Sequence, residues 1–315
     1  MNRRWGSIPI FLLFVFSLTS VLAQQPATKE PSFVEQGQQL VREGKLDEAL
    51  SLYRVVLKAQ PDSAAANTGT GIVLDLEGKG AEARPYLQKA IDLAPDPQSK
   101  AMAQRTMAIS WAFAGDCDQT IKYEQMVIQY YATTKDFYEQ GQIADEAARV
   151  CLDYGQFDTA YQWYLTGHDL GLKQPDIPTE RKHLWEFRWE HAQARIAARK
   201  GNQTEAAKHV AAATAILDND AELAKQQSIF LPYLVGYVAL YRGDYEAAAT
   251  ELQKANVKDP FIQVLLGNAY EAKGQTDLAI DAYRKAAAST AHNAATAYAR
   301  PYAEKKLGAL IKRKT

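Results

Sequence analysis

An all-α solenoid of antiparallel helix pairs is the fold class this sequence predicts, and three observations predict it. Alanine, leucine, glutamate, lysine and glutamine dominate the text, and apolar residues recur three and four apart, the period of a helix face. Glycines at 44, 78, 115, 155, 201, 243 and 274 punctuate it at spacings of 31 to 46 residues, each between two helix-length segments. Small residues stand at matched places on either side of these glycines, as Gly37 and Ala49 do, and Gly71 and Ala83. Two helices of a pair can therefore approach closely. Self-similarity at such a period marks units that bury their apolar faces only against neighbours.

The elements follow in order. Arg3 and Arg4 form a short basic region ahead of the apolar run Ile8 to Leu22, and Val21-Leu22-Ala23 ends it with compact residues. Residues 1–23 are expected to be a secretory signal cleaved after Ala23, with retention as an anchor the alternative. No cysteine follows that point as a lipid-anchoring site would require, and residues 24–31 read as a polar linker. About seven helix pairs are expected over 32–292. The first runs from Ser32 to Asp62, with Phe33, Gly37 and Leu40 before the turn and Ala49, Tyr53, Val56 and Pro61 after it. The second, Ala64 to Asp96, repeats this through Gly71, Leu74, Ala83, Leu87, Ala90 and Pro95. A closing proline stops each second helix because it lacks the next backbone donor.

The third pair, near Ala101 to Tyr131, keeps Met107, Ala108 and Trp111 but has Thr120 and Glu124 where an alanine and an aromatic are expected. The fourth, Phe137 to Leu172, carries Ala148, Tyr154, Gly155, Ala160 and Tyr164. A longer connection with Pro175 and Pro178 leads to the fifth, Arg181 to Asp218. The sixth, Ser228 to Pro260, is regular again through Gly236, Ala239, Gly243, Ala248, Leu252 and Ala255. The seventh has Leu266-Gly267-Asn268-Ala269-Tyr270, Gly274, Ala279, Tyr283 and Ala286. Residues 293–315 read as a C-terminal capping helix with a basic tail.

The seventh unit, with its Leu-Gly-x2-Tyr run, turn glycine and Ala-x3-aromatic-x2-Ala, resembles the tetratricopeptide repeat, and the likeness extends over nearly all of residues 32–292. That resemblance implies a right-handed superhelix whose first helices line a concave groove, and a non-catalytic role as a scaffold or adaptor that holds a protein or peptide segment there. On the fifth unit the inward stripe falls on Arg188, His191, Arg195 and Arg199. On the sixth it falls on Phe230, Tyr233, Tyr237 and Tyr241, and on the seventh it includes Asn268 and Glu271. Spacings of three and four put each set on one helix face. Arginine pairs with carboxylates and tyrosine supplies area plus a hydroxyl, so an acidic or C-terminal segment is the expected guest. Asn268 is the one asparagine on that face, which departs from the pattern of family members that clamp a partner's terminal carboxylates.

Other chemistry is not indicated. There is no phosphate-binding glycine loop, G-x-S-x-G elbow, H-E-x-x-H or Cys-x2-Cys, so no enzyme activity, cofactor or metal is expected. His183, Glu186, Glu190 and His191 on one helix read as a solvated charged face. An enzyme with a site spread across repeats remains an alternative, as does glycan binding through the central aromatics Trp163 and Trp185. Without Arg3 and Arg4 the charge is 34 basic against 37 acidic, a net −3, which gives no electrostatic case for nucleic acid or an anionic membrane. No further segment is apolar and long enough to span a bilayer, so no membrane span is expected after signal cleavage. The expected location is periplasmic or extracellular in a bacterial envelope. Cys117 and Cys151 are the only cysteines; either they pair, as an oxidising compartment favours, or they are two buried thiols.

Overall fold

The structure, a computed structural model, describes residues 32–314 and side chains as far as residue 312; the expected signal 1–23 and linker 24–31 lie outside the described residues. Helix pairs follow one another along the chain. They are α1 (Phe33–Arg42) with α2 (Leu46–Ala59), α3 (Ala64–Leu76) with α4 (Gly80–Asp92), α5 (Pro97–Phe113) with α6 (Cys117–Thr133), and α7 (Phe137–Asp153) with α8 (Phe157–Leu172). The series continues with α9 (Thr179–Arg199) and α10 (Gln203–Asp218), the short α11 (Ala221–Gln226), then α12 (Phe230–Arg242) with α13 (Tyr245–Leu252) and α14 (Pro260–Ala272) with α15 (Thr276–Ala287). The last helix is α16 (Ala294–Lys314). No strand occurs among the described residues. The fold is the all-α solenoid that the periodicity predicts, with seven pairs and two helices besides among the described residues.

Each pair is made the same way. The seven turn glycines all adopt φ between 73° and 86°, the left-handed region where a Cβ is disfavoured. After each one the chain reaches back to the carbonyl five residues earlier, as Lys45 N does to Leu40 O and Gln275 N to Tyr270 O. These bonds satisfy carbonyls that the helix end would otherwise leave open. At the other end, Asp96, Asp116, Asp136 and Asp244 each accept an amide of the first turn, and Ser32 closes a capping box with Glu35.

Packing within and between pairs depends on absent side chains. A Cβ at Gly267 would stand 2.5 Å from a ring carbon of Tyr283, and one at Gly37 or Gly69 would overlap the ring of Tyr53. Trp185 is seated against Gly141 and Gly171 in the same way and is 1% exposed. It is a core residue, which removes it from the glycan-stacking alternative. Trp163 packs against the cluster around Cys117 and Cys151.

The degenerate third unit keeps its shape by different means. Thr120 turns its hydroxyl back to the carbonyls of Asp116 and Ala108, and Glu124 takes the aromatic position with its carboxyl fully buried. Cys117 at the start of α6 and Cys151 near the end of α7 are joined by a disulfide, with Cα atoms 5.1 Å apart and both side chains buried.

The C-terminal helix corrects one expectation. It does cover α14 and α15, as a capping helix should, but it also lies against α5 and α7. The segment ahead of it ties back to the second and third pairs: His292 Nε2 meets Asp75 Oδ2 at 2.9 Å, and its ring stacks on Phe113 at 5.4 Å between centroids. Asp75 also accepts from Ser110 Oγ at 2.8 Å. Farther along, Tyr298 contacts both Tyr154 and Phe261. The concave side of the solenoid is therefore not an open groove along its length. The chain's own C-terminus occupies part of it.

Candidate functional site

What remains on the inner face is a chamber of about 730 Å³. Its walls come from the first helices of three successive pairs, α5, α7 and α9, with Tyr233 and Phe230 of α12 and the turn His292 to Ala295 completing it. Helical spacing explains why these side chains converge. Tyr138, Gln142, Asp145 and Arg149 follow one another at four, three and four residues on α7, and Arg188, His191 and Arg195 at three and four on α9. Met102 and Phe230 are 49% and 43% exposed and, with Arg105, form the outer part of the lining.

Charge is dense here. Arg105 pairs with Glu146, and Arg188 donates to Gln142 while its Nε lies 3.7 Å from Asp145. Arg149 Nε lies 3.7 Å from Asp153, behind the wall. Burial pushes the carboxyls of Asp145 and Asp153 up to about 6, against the pull of the neighbouring guanidiniums. His191 is driven the other way, its pKa well below the usual histidine value, first because it is buried and next because Arg195 is beside it. It is neutral at pH 7. Arg195 is held by neutral oxygens, donating to Tyr164 Oη at 2.8 Å and Tyr233 Oη at 3.3 Å, with its guanidinium over both rings. Three buried nitrogens in this region have no hydrogen-bond partner: Arg188 Nη1, His191 Nε2 and Arg149 Nε.

The structure divides the residues expected to form the groove. Arg188, His191, Arg195 and Tyr233 line the chamber together. Arg199, Tyr237, Tyr241 and Asn268 do not. Tyr237 is fully buried among Tyr233 and Tyr241, and Arg199 lies between the rings of Phe157 and Tyr241. Asn268 Oδ1 accepts from Tyr283 and from Tyr302 of α16, so the helix that folded back took its place as guest. The residues read as a solvated charged face form ordinary pairs for the most part: His183 bonds Asp220 at 2.8 Å, Glu190 meets His209, and Lys182 reaches Glu186. His191 alone of the four faces the chamber.

Arg105, Gln142, Asp145, Arg149 and His292 belong to the site and were missed. The α7 and α5 residues carry the same signal that identified α9, since Tyr138 to Arg149 repeats its spacing. Phasing the third and fourth units as the fifth was phased finds them. His292 has no such signal.

Comparison with known proteins agrees with the repeat assignment. The tetratricopeptide repeat family model matches residues 34–98 and 233–294. A human protein O-mannosyl-transferase, TMTC1, is 34% identical over 73 residues, which is 23% of this chain and 8% of that protein. The chain thus spans under a tenth of the length of that curated relative. Among solved structures, a tetratricopeptide repeat protein from Parabacteroides merdae is similar over 89% of this chain and 97% of its own, at 13% identity and a TM-score of 0.49. The nearly identical repeats of a putative kinesin light chain from Podosopora anserina align over 62% of this chain and 95% of theirs, at 18% identity and a TM-score of 0.48.

Proposed function

We propose that this chain is a non-catalytic, exported adaptor of a bacterial cell envelope that holds an acidic segment of another protein on its inner face. The observation that carries the reading is the outer part of the chamber, which the exposed Met102 and Phe230 line together with Arg105 on the inner face of a repeat scaffold. Apolar area flanked by a guanidinium suits a segment that alternates apolar and acidic residues. The disulfide supports export, because such bonds persist in oxidising compartments.

The reading differs from the open-groove expectation in where the partner touches. Arg195 and Tyr237 are buried, so replacing them would disturb the core before it disturbed a partner. The test belongs on the rim. Met102→Asp together with Phe230→Asp adds charge to two exposed positions and should abolish co-purification of the partner from envelope extract, with the helical circular dichroism unchanged. Undiminished co-purification would remove the rim as the docking site.

A further inference from the structure

The depth of the chamber carries an imbalance that its rim does not explain. Arg195 is 6% exposed, yet its hydrogen bonds run to the His191 carbonyl and to two tyrosine hydroxyls, all neutral. The acids nearby are engaged elsewhere, Asp145 with Arg188 and Asp153 with Arg149. Asp145 and Asp153 act on Arg195 only through space, so this buried cation has no carboxylate bonded directly to it, and proteins normally supply one. Across the chamber walls, Arg105, Arg149, Arg188 and Arg195 face Asp145, Glu146 and Asp259, which leaves one positive charge in excess. Counting Asp153 and Arg199 behind the walls as well gives five guanidiniums against four carboxylates, the same excess of one.

The unpartnered nitrogens point the same way. His191 is 8% exposed, lines the chamber and has no partner for Nε2, and Arg188 Nη1 is likewise buried and unused. Both sit one and two turns along the same face of α9 from Arg195. Helix α16 begins in the wall at Ala294 and Ala295, so the positive end of its dipole adds to the field. Between these polar groups are Leu184, Phe187 and the ring of Tyr233, which give an apolar bed. The volume falls in the range of small-molecule sites, about 300–1,000 Å³.

We propose that the depth of the chamber binds one small organic monocarboxylate with a ring-sized apolar body. The carboxylate accepts from Arg195 and Arg188, and the body lies against Leu184, Phe187, Tyr233 and the neutral ring of His191. A single negative charge balances the excess. A dianion such as phosphate would overshoot it and meet Asp145 and Glu146. This goes beyond the adaptor reading, since it concerns a ligand inside the chamber and not a protein on its rim.

Isothermal titration of the purified chain with benzoate and phenylacetate tests it, with benzamide as the neutral counterpart of benzoate and inorganic phosphate as the dianion. Saturable binding of at least one carboxylate is expected, at least about tenfold tighter than benzamide or phosphate, the factor that loss of a charge-assisted hydrogen bond implies. Arg188→Gln should weaken the carboxylate by a similar factor, and Lys182→Gln, on the exposed side of the same helix, should leave it unchanged. Arg188 is the variant of choice because its side chain is partly exposed, whereas loss of Arg195 endangers the core. No saturable carboxylate binding at millimolar concentration, equal binding of benzamide or phosphate, or full affinity in Arg188→Gln would each overturn the proposal. The protein partner is absent from these titrations, so their failure leaves the rim untouched.

Discussion

Reducing the Cys117–Cys151 bond should cost the fold about 4 kcal/mol, and the size follows from where the two residues lie. They are 34 residues apart in sequence. Closing a loop of that length removes about 13 cal/mol/K of entropy from the unfolded chain, or about 3.8 kcal/mol at 25 °C in the chain-entropy account. The bond ties the N-terminus of α6 to the end of α7, within a cluster that includes Ala148, Leu152, Tyr164 and Ile196. Arg149 and Asp153 flank it on α7, so loosening this corner reaches the chamber. The assay is urea unfolding followed by tryptophan fluorescence, oxidised against reduced, and for Cys117→Ala with Cys151→Ala. Both comparisons should show a loss of about 3 to 4 kcal/mol with the slope little changed, since α-helices remain paired without the bond. A loss below about 1 kcal/mol, or two alkylatable thiols in the native protein purified without reductant, would refute the reasoning.

Three further outcomes follow. Gly267→Ala should destabilise by about 1–3 kcal/mol by forcing the Tyr283 ring aside, whereas Gly308→Ala, with nothing within 4 Å, should stabilise by about 0.5–1 kcal/mol; equal effects on thermal unfolding would contradict the close-packing argument. His292→Ala leaves an oxygen of Asp75 without its buried partner and should cost about 1–3 kcal/mol, with faster amide exchange over Ser289 to Tyr298 than in α14; unchanged exchange there would show that this contact does not hold the C-terminal segment. Glu124 is held well above 4.5 by burial first and by Glu146 next, so the folded state keeps a proton that the unfolded state gives up as pH rises past 4.5. Stability therefore falls with rising pH in that window. Glu124→Gln should be more stable than the parent at pH 7 and no different below 4.5 in urea titrations; a pH-independent difference would count against it.

The reach of the sequence is clearest at the turn glycines. All seven positions read from spacing are left-handed in the structure, because a tight reversal between helices selects glycine so strongly that the residue alone reveals it. The α9 stripe was legible for a similar reason, since spacing of three and four fixes a face whatever lies opposite. What lies opposite was not legible. His292 and Asp75 are 217 residues apart, and nothing periodic links them. Tyr237 is buried beside Tyr233 and Tyr241, and the return of α16 claimed Asn268 through Tyr302, so half of the expected groove became interior. Trp185 misled for a local reason: two glycines on other helices make its slot, and they carry no mark of the ring they receive. Helix α11 falls between the fifth and sixth units, where neither repeat pattern extends.

The central claim is that a partner protein contacts the inner face at the rim of the chamber. Site-specific photo-crosslinking in cells addresses it most directly, with benzoylphenylalanine placed at Phe230 on the rim and, separately, at Val55 on α2, which is 69% exposed. The account predicts a discrete crosslinked protein at position 230 and none at position 55. Capture at 55 with none at 230 would contradict it.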